Sequence, residues 1–139
     1  MKSLDTNVLA RFFISDPDDA QAIKQQPAAI AAMSSRAFVG VTVLLEFEWV
    51  MRGFYGLSRP AISKVFDALL GIEHLTIEDR AAVIVAINGF NAGLDFADSM
   101  HVSRSAQSSG FVTFDQKLVK RSKAVDLQVQ LELICRLSY

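Results

Sequence analysis

Short apolar runs bounded by turn-forming residues alternate along this chain with longer stretches of helical length and composition. Residues 1–4 read as a short strand that stops at Asp5, and residues 7–13 as one or two helical turns. Asp16-Pro17 has the form of an N-cap followed by a first-turn proline, which predicts a helix that Pro27 kinks or divides. Residues 37–41 are apolar and bounded, so a buried strand is expected there, leading directly into a helix over 42–53. Ser58-Arg59-Pro60 repeats the cap-then-proline signal and starts a helix running to Leu70, with Gly71 as its stop. A strand follows near 73–76. Glu78-Asp79 introduces a helix through 81–90 that ends near Gly93, and a further helix is expected over 96–108. Ser109-Gly110 breaks it, and residues 111–114 form a strand ending at Asp115. Strands alternating with helices predict an α/β fold with a mostly parallel central sheet covered on both faces.

At 139 residues the chain has the length of one ordinary domain, so a single core over 1–139 is expected. A hydrophobic fraction of 51%, 21% charged residues and a mean hydropathy of +0.28 exclude disorder for most of that length. Fourteen basic against fifteen acidic residues leave a net charge of -1, so any attraction to a polyanion must be local. The single cysteine, Cys135, has no intramolecular disulfide partner, and with only His74 and His101 beside it no Cys/His zinc site can be assembled. The longest unbroken apolar stretch, 81–87, is far shorter than a membrane span of roughly 18 residues, and charges interrupt the N-terminus as a secretory signal. A soluble protein of the cytoplasm, with no membrane partner, is the expectation.

The chemistry lies in the carboxylates. Asp5 and Asp115 each follow a short apolar strand, and the carboxyl ends of parallel strands face a common crevice. Either one alone also reads as a turn former or helix N-cap. On a helical wheel over 43–54, Glu46 falls between Trp49 and Val50 and so inside the apolar arc, whereas Glu48 falls beside Arg52 on the polar face. A carboxylate turned inward asks for a cation, and a bound metal is one; the alternative is a rim glutamate reaching solvent past Trp49. Asp95 and Asp98 lie three apart at the start of a helix, where a capping role competes with a functional one.

Leu-Asp-Thr-Asn-Val-Leu at 4–9, Glu46 ahead of Trp49-Val50 and Tyr55-Gly56, Asp95-Phe96-Ala97-Asp98, and Val-Thr-Phe-Asp at 112–115 occur in one order along nearly the whole chain. Together they resemble PIN-domain ribonucleases, specifically the toxins of VapBC-type toxin–antitoxin pairs. The resemblance implies a three-layer α/β/α fold. It places the family's acidic, metal-binding set on Asp5, Glu46, Asp98 and Asp115, with Asp95 as a helper and Thr6, Asn7 and Thr113 as supporting polar positions. It also implies Mg²⁺ or Mn²⁺ as cofactor, hydrolysis of RNA phosphodiester bonds, a homodimer, and a small antitoxin that places a basic side chain near the acidic site in a larger complex. His101 departs from the family pattern and reads more simply as a helix-surface residue, and the segment after Lys123 matches less well.

Oxygen-only ligands suit hard cations. Lys117, Lys120 and Arg121, at i, i+3 and i+4 just after Asp115 and followed by Lys123, are the candidate phosphate contacts, with a solvated helix face as the plainer reading. Phe12, Phe13, Phe54 and Tyr55 are candidates for an antitoxin groove and equally for core. A phosphoacceptor domain fits poorly, because Asp5 has no acidic neighbour and Asp67 lies within a helix. An aspartate-nucleophile phosphatase fits poorly too, because Asn7 stands where a second aspartate belongs. The remaining rival is a PIN-like module that binds RNA or protein without cutting.

Overall fold

The computed structural model describes residues 1–134; Cys135 lies outside them. The chain forms two compact units, Met1–Asp79 and a second beginning at Arg80.

In the first unit the order is β1 (Lys2–Ser3), α1 (Thr6–Phe13), α2 (Ala20–Met33), β2 (Ala37–Val39), α3 (Val41–Trp49), a π-helical turn (Val50–Phe54), α4 (Arg59–Leu70) and β3 (Leu75–Ile77). The strands pair in parallel as β1-β2-β3, Lys2 opposite Ala37 and Phe38 opposite Thr76. β3 lies slightly later than 73–76 because the period-2 alternation of buried Leu75 and Ile77 around exposed Thr76 sets it. Leu9, Val39, Leu44, Phe47, Ile62 and Phe66 are fully buried in the core of this unit.

The start of α2 differs from the Asp16-Pro17 expectation. Asp16 accepts the Asp19 N–H in a turn, and the Asp19 carboxylate then takes the N–H groups of Gln21 (2.9 Å) and Ala22 (3.2 Å), so the helix begins at Ala20. Pro27 does not divide it. The proline sits on the exposed side, where one lost N–H does not break the turn. α4 agrees closely with expectation: the Ser58 hydroxyl accepts the Ala61 N–H, Pro60 lies in the first turn and Gly71 caps the end. Gly40 opens α3 with no side chain to offer, and the Glu78 carboxylate accepts the Val41 N–H instead at 2.9 Å.

The second unit contains α5 (Arg80–Asn91), α6 (Phe96–Ser103), β4 (Phe111–Thr113), α7 (Gln116–Ser122) and β5 (Leu131–Leu133), with β4 and β5 pairing in parallel. β5 had no expectation. α6 ends five residues before 108 because serines take its terminal carbonyls: Ser103 Oγ donates to Met100 O and Ser105 Oγ to His101 O. α5 and α6 meet closely through Gly89 and the fully buried Ser99, whose hydroxyl donates to Ala86 O at 2.9 Å. Leu94, Val102, Leu118 and Leu127 form the cluster beneath α7. Every described strand pairing is parallel, and helices separate the strands in sequence, an α/β fold.

Candidate active site

Each aspartate of the candidate set stands where a helix begins. Asp5, at the end of β1, accepts the Thr6 N–H at 2.7 Å and caps α1. Asp115, after β4, accepts the Leu118 N–H at 3.0 Å and caps α7, while its own N–H donates to Thr113 Oγ1 at 3.0 Å. Asp95 caps α6 by accepting the Asp98 N–H at 3.0 Å. Capping and ligand binding are compatible here. A cap occupies one carboxylate oxygen, and the group has about four acceptor sites, so the cap orients the remainder.

In the second unit Asp98, Asp95 and Asp115 come within electrostatic reach of one another. Burial first, then the charges of Asp95 and Asp115, hold the Asp98 carboxyl above its ordinary value of 3.8, against a smaller downward pull from exposed His101. Mutual repulsion of this kind is relieved by a cation. Among the described residues, however, no three acidic, histidine or cysteine side chains are arranged as a ready-made metal cage.

In the first unit Glu46 does not point into the core. It is exposed, and Glu48 is the buried glutamate at 3% exposure. The inward stripe of α3 runs through Val41, Leu44, Phe47 and Glu48 to Met51, whereas Trp49 and Val50, which mark the apolar arc on the wheel, face outward or partly so. Apolar identity misplaces the arc because Trp49 is 60% exposed. Glu48 is compensated within its own helix: Arg52 Nε lies 2.9 Å from Oε2 and Nη2 3.4 Å from Oε1. The i,i+4 spacing of this pair was visible in the sequence, its burial was not. Thr6, beside Asp5, is buried with Oγ1 lacking a hydrogen-bond partner, a polar atom left for a ligand or water. Asn7, Arg11, Gln25 and Ala28 line a cavity of about 240 Å³, and Arg11 is held there by Gln25 (3.0 Å) and the Tyr55 hydroxyl (2.9 Å).

Phe12, Phe13 and Tyr55 are half-buried, with Phe13 against Phe47, while Phe54 is 71% exposed. Lys117, Lys120, Arg121 and Lys123 are all exposed on or just after α7.

The PIN domain family model matches residues 3–124, a span that covers each of these acidic positions and runs through both units. The chain belongs to the PIN domain family. PIN domains are generally nucleases that use divalent metal ions, and the fold accordingly points to RNA. Compared against curated proteins and against solved structures, the chain gives no significant match. No helix of the described residues is long and apolar enough to cross a membrane.

Proposed function

We propose that this PIN domain is a metal-dependent endoribonuclease of the cytoplasm, the toxin of a type II toxin–antitoxin pair. The observation that carries the reading is the carboxylate cluster around Asp98, whose repulsion calls for a cation. The donor set fits a hard ion in kind, since it consists of carboxylate oxygens alone, and the orphaned Thr6 hydroxyl next to Asp5 adds a polar atom in want of a partner. In the second unit Asp98 and Asp115, with Asp95 assisting, would hold Mg²⁺ or Mn²⁺, and in the first unit Asp5 and Glu46 are the candidate ligands. Such an ion lowers the pKa of bound water and offsets charge developing on the phosphoryl oxygens. The protein's own part is positional. Asp95 fixes the first turn of α6 and with it Asp98, Thr113 orients Asp115 through its N–H, and the basic side of α7 holds the RNA backbone. No Ser, Cys or His nucleophile takes part.

A homodimer and a small antitoxin complete this reading, the antitoxin contributing a lysine or arginine that competes with metal for the acidic set. The rival, an inert RNA- or protein-binding PIN module, shares the fold but would bind metal weakly. Calorimetric titration of Mn²⁺ into partner-free protein separates the two: saturable binding that Asp5→Asn weakens by more than about 10-fold is expected, given that even outer-shell changes cost 10–100-fold. Saturable binding absent from the folded protein would favour the inert module.

The α7 face has its own test. Replacing Lys117, Lys120 and Arg121 with alanine is expected to weaken RNA binding and to flatten its dependence on salt by up to about 0.7 per lost phosphate contact on single strands. An unchanged slope, measured by fluorescence anisotropy, would leave these residues as a solvated helix face.

A further inference from the structure

α1 and α2 pack against each other, yet they leave a space that their own side chains do not fill. Where Val8 meets Ala28 and Ala29, the two alanines carry too little side chain to close the gap, and the cavity of about 240 Å³ results. These three residues give it apolar walls, while Asn7, Arg11 and Gln25 add donors and acceptors. Such a mixture, mostly apolar with a few placed polar groups, is that of a small-molecule site.

Arg11 is fixed before any ligand arrives. Its side chain is only 17% exposed, Nε donates to Gln25 Oε1 at 3.0 Å and Nη1 to the Tyr55 hydroxyl at 2.9 Å. Nη2 meets the Asp19 carboxylate only at 4.0 Å, too long for a hydrogen bond, so it keeps donors for an acceptor on a ligand. The charges decide which group enters. Asp19 beside Arg11, with Asp16 and Asp18 in the same turn, disfavours a phosphate at this spot. A nucleobase is neutral, offers flat faces to aliphatic walls and carries its acceptors on an edge, which is how unpaired bases of RNA are recognised. Guanine is the base whose O6 and N7 stand together as acceptors for an arginine. Asn7 lies in the first turn of α1, two residues beyond Asp5, and so ties the cavity to a proposed metal ligand. We infer that the cavity between α1 and α2 is a pocket in which one unpaired base of the RNA, a guanine, is read by Arg11 and Asn7. Lys24, exposed one turn before Ala28 on α2, is the cation available there to the backbone of that nucleotide. The inference rests on the ribonuclease reading and adds to it the base that the substrate presents.

The experiment titrates guanosine, adenosine, cytidine and uridine separately into ¹⁵N-labelled protein in EDTA, with NMR reading the Arg11 Nε–H and the Asn7 side-chain amide. In parallel, the parent is incubated in Mg²⁺ with 12-mers of one sequence that carry either a single guanosine or adenosine in its place. Guanosine is expected to shift both signals saturably and to bind about 5- to 100-fold more tightly than adenosine, the discrimination of one base edge. Ala28→Leu, which fills the cavity from an exposed helical position, should abolish the shifts, whereas Ala28→Ser, which leaves the space open, should keep them. Signals that no nucleoside moves, that all four move equally, or that guanosine still moves in Ala28→Leu would overturn the pocket. The nuclease reading then stands if the parent cuts the 12-mers, and falls as well if folded parent leaves both intact. Guanosine binding without cleavage would keep the pocket and remove only the nuclease reading.

Discussion

Asp98→Asn is expected to lower RNA cleavage by more than about 100-fold and yet to raise the melting temperature at pH 7. The first effect follows from the proposed role of Asp98 as a direct ligand, since even outer-shell partners of a metal are worth about 10–100-fold. The second follows from the environment of Asp98, where burial and the charges of Asp95 and Asp115 hold the folded-state carboxyl above its ordinary value. The folded protein therefore keeps this proton at pH values where the unfolded chain has released it. Below the ordinary value of 3.8 both states are protonated and the group costs nothing. As pH rises through that value the unfolded state gains from ionisation first, so stability falls until the folded carboxyl also ionises, and the penalty then persists to neutral pH. Asparagine removes the penalty. Melting curves of the two proteins should thus separate at pH 7, with the variant higher, and converge near pH 3. Mg²⁺ should narrow the gap at pH 7 by stabilising the parent alone. A variant less stable than the parent at pH 7 would mean that the carboxylates do not repel as the structure places them.

Gly89→Ala carries the largest expected loss of stability. Alanine in a helix interior gains up to about 1 kcal/mol over glycine. At this position its Cβ would overlap Ser99 Oγ and lie 3.0 Å from Leu127 Cδ2 and 3.1 Å from Ser99 Cβ, in the tightest approach of α5 to α6. Overpacking of a close-packed site costs about 1–3 kcal/mol, and the displaced Ser99 would also lose its bond to Ala86 O. The clash wins. A net loss of about 1–2 kcal/mol is expected, seen as a fall of roughly 5 °C in melting temperature. Adding Ser99→Ala should recover part of it, because the hydroxyl is the worst of the contacts. A melting temperature at or above the parent's would show that the two helices separate easily.

What was legible in the chain is the punctuation. Asp5 after β1, Ser58 and Gly71 at the ends of α4, and Asp115 between β4 and α7 all stand where their residue types predict, because caps and strand ends are local chemistry. The capping interpretation of Asp5, Asp95 and Asp115 holds and does not remove their candidacy as ligands, since a capping carboxylate keeps further acceptor sites. Less legible was the face of α3. The wheel took Trp49 and Val50 as core, but the interior is marked by Leu44, Phe47 and Met51, and Glu48 is admitted there because Arg52 reaches back to it. A wheel of fixed 100° steps also misses the π-helical turn, which has no local signature in the sequence and redirects everything after Trp49. The inner side of α6 showed no clean apolar stripe for a related reason: Ser99 and Ser103 occupy buried positions there, Ser99 against the small Gly89 and both hydrogen-bonding to carbonyls.

The central claim is metal-dependent cleavage of RNA, and the most direct test incubates purified, partner-free protein with total cellular RNA in Mg²⁺, Mn²⁺ or EDTA, beside Asp5→Asn and Asp98→Asn, and sequences the new ends. Discrete ends that require the metal and vanish in both variants are predicted. Folded protein that leaves the RNA intact in every metal, or a variant that cuts as well as the parent, would contradict it.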